Sequence, residues 1–234
     1  MNILYSKLVG KMIITKRLLI LIAGSLFFQG AYGAVGLELH TEYERWDSGL
    51  DGDASGRLLG AGISTNIFSQ WRLGAGLSFG DYSIENNDDA ALARKDLDVV
   101  LIKKSSTPYS VFFGYRIVSI NYENDVEPEK SFDDLSHGLG VGLAAHKRFA
   151  RNWIPYARVS ASVIYSTIDY DQSGSTSGNG LSYGIESGLV YLISAKSNVG
   201  FSVKSQANNI DYGGEAGQWD HDYYRIGFNG SYVF

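Results

Sequence analysis

The chain has 234 residues, among them 28 glycines, 16 tyrosines and three prolines, with no cysteine and a formal charge of −5. The lack of cysteine excludes disulfides and thiolate metal sites, and the acidic balance argues against a general nucleic-acid binder. Beyond residue 33 no apolar segment approaches the about eighteen residues of a membrane helix, which leaves a single β-barrel or a soluble β-sandwich.

The first element is an export signal. Lys16 and Arg17 precede an apolar run from Leu18 to Phe28, and Ala31-Tyr32-Gly33 places small residues where a signal peptidase reads them, so cleavage is expected after Gly33. Met12 is an alternative start that gives a signal of ordinary length. Residues 1–33 carry four basic groups and no acidic one, so 34–234 holds 16 basic against 25 acidic residues and a charge of −9.

Ten runs of period-two alternation follow, at 35–46, 57–68, 71–84, 95–104, 109–122, 136–148, 153–169, 181–194, 199–211 and 223–234. Their connections are expected to alternate in length. Ser69-Gln70, Ser105 to Pro108, Phe149 to Asn152 and Ala195 to Asn198 are tight, whereas Asp47 to Gly56, Glu85 to Arg94, Glu123 to Leu135, Tyr170 to Gly180 and Tyr212 to Asp222 read as long polar loops. This is the pattern of an all-β, single up-and-down antiparallel transmembrane barrel of ten strands, with eight as the alternative if the fourth and fifth are overcounted.

Charge divides between the two ends. Arg72, Lys103, Lys104, Lys147, Arg148, Arg151 and Lys196 lie at the short turns, suited to anionic phospholipid of the inner leaflet, while the long connections are rich in Asp and Glu. Trp46, Trp71, Tyr109, Trp153, Tyr165, Tyr191, Tyr223 and Tyr232 fall near strand ends and fit two interfacial girdles.

Placing the apolar row of each strand outward sends a charged row inward: Glu38, His40, Glu42, Asp96, Asp98, Arg116, Arg158, Glu186, Lys204 and Arg225. Charges in a narrow tube are tolerable when paired and hydrogen-bonded, and here the signs nearly balance. Glycine stripes accompany them, and Gly138, Gly140 and Gly142 are expected to confront Glu38, His40 and Glu42 across the barrel. Two readings stay open: a salt-bridge plug, or a narrow charged path for ions and small solutes. A wide porin is excluded at this strand number.

The last eleven residues, YRIGFNGSYVF, put Tyr224, Ile226, Phe228, Tyr232 and Phe234 on one face and Arg225, Asn229 and Ser231 on the other. This ending resembles the C-terminal assembly signal of Gram-negative outer-membrane β-barrel proteins, with Phe228, Tyr232 and Phe234 as the signal; Gly230 departs from the usual glycine position by one residue. The resemblance implies an outer-membrane location, outer-membrane lipid and lipopolysaccharide as surroundings, and the barrel-assembly machinery as a partner.

Neither a catalytic, a cofactor nor a metal site is expected. Asp88, Asp89 and the Asp220-His221 pair invite comparison with omptin surface proteases, but their spacing differs from the omptin arrangement. Ser136 and His137 are adjacent on a strand and so point to opposite faces. Asp47, Asp51 and Asp53 could bind divalent cations loosely, and GSTSG at 174–178 reads as a flexible loop tip. The functions consistent with this are a small porin-like or structural barrel, a surface-binding barrel acting through acidic loops with Phe132 and Trp219 exposed, and a rim-located hydrolase.

Overall fold

A computed structural model describes residues 35–47, 53–85, 87–170, 174–213 and 218–234; the expected signal at 1–33 and Asp51 lie outside them. Ten strands form: β1 (Val35–Asp47), β2 (Ala54–Phe68), β3 (Trp71–Ile84), β4 (Asn87–Lys103), β5 (Tyr109–Asn124), β6 (Phe132–His146), β7 (Trp153–Tyr170), β8 (Gly174–Leu192), β9 (Ser197–Asp211) and β10 (Gln218–Val233). Each pairs antiparallel with its sequence neighbours, and β1 pairs with β10 to close the barrel. Ten strands stand and the eight-strand alternative falls.

The register fixes the stagger of the closure. Following partners around from Val35 through Thr65, Leu73, Leu101, Phe113, Val141, Ala161, Tyr183, Ala207 and Asp222 returns to β1 at Asp47, twelve residues beyond the start. Such a displacement tilts the strands against the barrel axis, and with strand number it sets the diameter.

The expected long loops are the main correction. β4 begins at Asn87 rather than 95, β6 at Phe132 rather than 136, β8 at Gly174 rather than 181 and β10 at Gln218 rather than 223. Only residues 85–86 separate β3 from β4, and GSTSG is the first turn of pairing in β8, entered through Gly174 at a φ of +89° that L side chains rarely adopt. A 3-10 turn at Pro128–Lys130 punctuates the β5–β6 connection.

The physical reason is an inversion of polarity between the two faces along the strands, with the alternation of facing itself unbroken. In the turn-side part, apolar residues point out and polar ones in: Leu39, Phe113, Leu139, Ile185 and Phe228 are exposed outside, opposite His40, Arg116, Glu186 and Asn229. Toward the loop side the pattern reverses. Trp46, Leu58, Tyr82, Leu92, Ile120, Tyr122, Phe132, Ile168 and Ile210 are buried inside in one cluster, while Arg45, Arg57, Asp81, Asn121, Asp133, Asp169 and Asp220 face out. A barrel leaving hydrocarbon for water exchanges which face must be polar, and segments with charged outer rows therefore read as loops although they remain paired.

Candidate functional site: the barrel lumen

Where the two regimes meet, four charged side chains converge in the lumen. Arg94 on β4 donates through Nη1 to Glu44 (2.8 Å) and through Nε to Asp96 (2.7 Å), and Arg225 on β10 bonds Glu44 and reaches Asp96 through Nη2 (3.3 Å). All four are buried, with Glu44 fully so. Arg225 also donates to Glu42 (3.2 Å), and the Tyr82 hydroxyl adds a bond to Glu44 (2.8 Å). Tyr223 lies against the Arg94 guanidinium, 4.7 Å from ring centre to Cζ. The charges satisfy one another, the condition under which ionised groups persist away from bulk water.

Above the cluster sits the apolar cap. Trp46 stacks on Tyr223 at 5.5 Å and donates its indole N–H to Nδ1 of His221 at 3.3 Å. A hydroxyl network borders the cap: Tyr212 donates to Ser166 (2.9 Å), and Ser166 and Ser136 both donate to the buried Asp134 carboxylate (2.5 and 3.2 Å). Tyr212 lies past the end of β9, where burial first, and the Asp134 carboxylate next, push its hydroxyl above the usual tyrosine range.

A cavity of about 630 Å³ occupies the lumen, lined at its mouth by Gly36, Ser64, Arg72, Asn198 and Ser231 and reaching Arg94, Asp134, His221 and Tyr223 at the level of the knot. Arg116 grips Asp98 with two bonds (2.5 and 3.0 Å) and takes Gln206 with a third (3.1 Å). Arg158 lies 3.5 Å from Glu186, which also accepts from Tyr156 (2.7 Å). Lys204 stands in register between Glu186 and Arg225, His40 bonds Ser78 (2.9 Å), and Glu38 accepts from Asn229 (3.3 Å). The inward row thus includes every residue of the expected set, divided into a buried knot around Asp96 and Arg225 and a wetter lower ring.

Several placements differ from expectation. Glu44 and Arg94, central to the knot, are not in the expected set; Glu44 continues the parity of Glu38, His40 and Glu42, which is the signal that finds it, whereas Arg94 falls in a stretch that reads as a loop. Trp46 and Tyr223 are not girdle residues, being 2% and 4% exposed and turned inward. Phe132 is buried rather than displayed, and Trp219 packs edge-on against it at 6.2 Å. Asp134 belongs to the interior and not to the acidic rim.

The β6 glycines lie five strands from β1 in either direction around the barrel, and the atoms nearest an added Cβ belong to the flanking strands β5 and β7. A Cβ on Gly142 would strike the Phe112 ring of neighbouring β5, one on Gly140 would meet Ser162 of β7 (2.7 Å), and one on Gly56 would meet the Tyr82 ring (2.8 Å). Bare backbone at these positions makes room for a side chain on the adjacent strand.

The residues considered for hydrolysis separate. Asp220 faces outward and accepts from Asn209 (2.6 Å), while His221 is buried between Trp46, Trp219 and Tyr223. Ser136 points to Asp134, and His137 lies against Tyr115 and Tyr165 on the opposite face. Phe228, Tyr232 and Phe234 all project outward, Tyr232 and Phe234 edge-to-face at 5.0 Å.

No sequence-family model and no curated protein sequence matches this chain. Solved structures do. The outer membrane protease OmpT of Escherichia coli superposes with a TM-score of 0.53 at 11% identity, over 87% of this chain and 98% of that one. The β domain of the Bordetella autotransporter BrkA gives 0.53 at 10%, over 86% and 100%. The translocator domain of the autotransporter NalP from Neisseria meningitidis gives 0.51 at 11%, over 97% of each chain. At these identities the likeness is one of fold: the chain is a closed, up-and-down antiparallel barrel of the kind built by Gram-negative outer-membrane proteins.

Proposed function

We propose that this chain is a non-enzymatic integral protein of the outer membrane, a structural barrel whose bore is stopped on the loop side. The observation that carries the reading is the knot of Glu44, Arg94, Asp96 and Arg225 beneath a cluster of buried apolar side chains. A path for ions needs water at every level, and the cap offers side chains in contact. Outer-membrane lipid and lipopolysaccharide surround the belt, and the barrel-assembly machinery inserts it. Planar-bilayer recording tests this: the native barrel inserts without unitary conductance, and steady channel openings from the native protein would contradict it.

A second reading has one observation in its favour. Asp133, Asp169, Asp211, Asp220 and Asp222 point outward near the loop-side ends of β6, β7, β9 and β10 and form an acidic surface suited to a basic partner. Their joint replacement by Asn would abolish adhesion by expressing cells and leave bilayer recordings unchanged.

A further inference from the structure

The turn-side rim is the opposite of the loop side in charge, and its groups are held in place. Backbone bonds join its turns in sequence: Lys104 N–H to Gln70 (2.6 Å), His146 N–H to Pro108 (2.8 Å), Leu192 N–H to Asn152 (2.8 Å) and Val233 N–H to Lys196 (2.7 Å). The turns at 69–70, 104–108, 147–152 and 193–196 contain no carboxylate. The β6–β7 turn is the richest, with Lys147, Arg148 and Arg151 exposed around Phe149, which at 85% is the most exposed of the large apolar residues described. Lys103 and Lys104 stand on the neighbouring turn, Lys103 with its ammonium 5.9 Å from the Trp71 ring.

An apolar ring exposed to water at a tight turn has no structural use there: it covers no core and makes no ring contact among the described residues. Cations flanking an unburied aromatic, directly below girdle residues Trp71, Tyr109, Trp153 and Tyr191, match a surface whose acyl region takes the ring and whose phosphates take the charges. The geometry points to the β6–β7 turn, with the β4–β5 turn beside it, as a seat for anionic phospholipid headgroups of the inner leaflet, Phe149 entering between the chains. This rests on the barrel spanning a membrane with its short turns on the periplasmic side. A soluble acidic polymer would satisfy the cations and leave Phe149 in water, which is why lipid is the occupant argued.

The test refolds the protein into vesicles of phosphatidylcholine alone and of phosphatidylcholine with phosphatidylglycerol, then counts retained lipids by native mass spectrometry. Phosphatidylglycerol is retained in preference, and the preference falls by about fivefold for each cation removed in Lys147→Gln, Arg148→Gln and Arg151→Gln. Phe149→Ser, with every charge intact, lowers retention of both lipids. A barrel that floats with both vesicles yet shows no preference, or keeps it in the triple variant, overturns the proposal alone. Competition by polyglutamate without any lipid preference overturns it in favour of a soluble acidic partner. Failure to float with either vesicle removes the membrane reading itself, and the proposal with it.

Discussion

Arg94 and Arg225, on strands far apart in sequence, hold the same two carboxylates: each bonds both Glu44 and Asp96. The closed square ties β1, β4 and β10 together through the bore, where the sheet alone would link β4 to β10 only around the wall. Removing one corner leaves a buried charge without compensation. Arg94→Ala is expected to destabilise the barrel by about 3–5 kcal/mol, measured by urea unfolding in vesicles.

The same square predicts non-additivity. Glu44→Gln with Arg94→Met removes one charge of each sign and replaces the guanidinium stem with similar volume. The double variant should lose less stability than the two single losses combined, since groups in one network couple by about 0.5–3 kcal/mol. Strict additivity in the double-mutant cycle would show that the square is not a unit.

The nearest atoms to an added methyl on Gly60 belong to side chains, the His40 imidazole and the Ser78 hydroxyl (2.8 Å). Gly60→Ala should displace His40 from Ser78 and cost about 1–3 kcal/mol, the usual penalty for overpacking. His40→Ala in the same chain should recover most of that loss, because the clash then disappears. Thermal unfolding of the two variants side by side decides it.

His221 serves packing and not hydrolysis under this account. Its ring accepts from Trp46 and fills space between three aromatic side chains. His221→Ala is therefore expected to lower stability by a few kcal/mol, about what other buried large-to-Ala changes cost, and to leave cell-surface peptidase assays at the level of the native barrel. A peptidase activity lost in this variant alone would revive the hydrolase reading.

The rim carries like charges directly opposite each other, Asp133 with Asp169. Such cross-strand pairs are destabilising by about 0.2–1 kcal/mol. Asp169→Asn should raise the unfolding temperature slightly, and added salt should erase the gain.

How much of this was legible in the sequence follows from where the solvent changes. Along β10, Tyr224, Ile226 and Phe228 alternate with Arg225 and Asn229, so strand, face and lumen residues could be read directly. On β4, Asp89, Ala91, Ala93 and Lys95 face out while Leu92 and Arg94 face in; the outer row is polar because it has left the belt, and the apolar-out rule misses it. The same shift hid Arg94 from the lumen set and turned Phe132, Trp46 and Tyr223 into apparent surface aromatics. The glycine partners were not legible because they depend on the stagger of twelve, a property of closure and not of any one strand.

One row of each turn-side strand meets hydrocarbon and the other an enclosed interior. The chain has no cysteine, so single Cys replacements from Tyr224 to Tyr232 on β10, spin-labelled in vesicles, report each position alone. Labels at Tyr224, Ile226, Phe228, Gly230 and Tyr232 should collide with dissolved oxygen and be shielded from a water-soluble nickel chelate, while those at Arg225, Gly227, Asn229 and Ser231 should show the reverse or no access. A flat profile, or chelate access along both rows, would contradict the account.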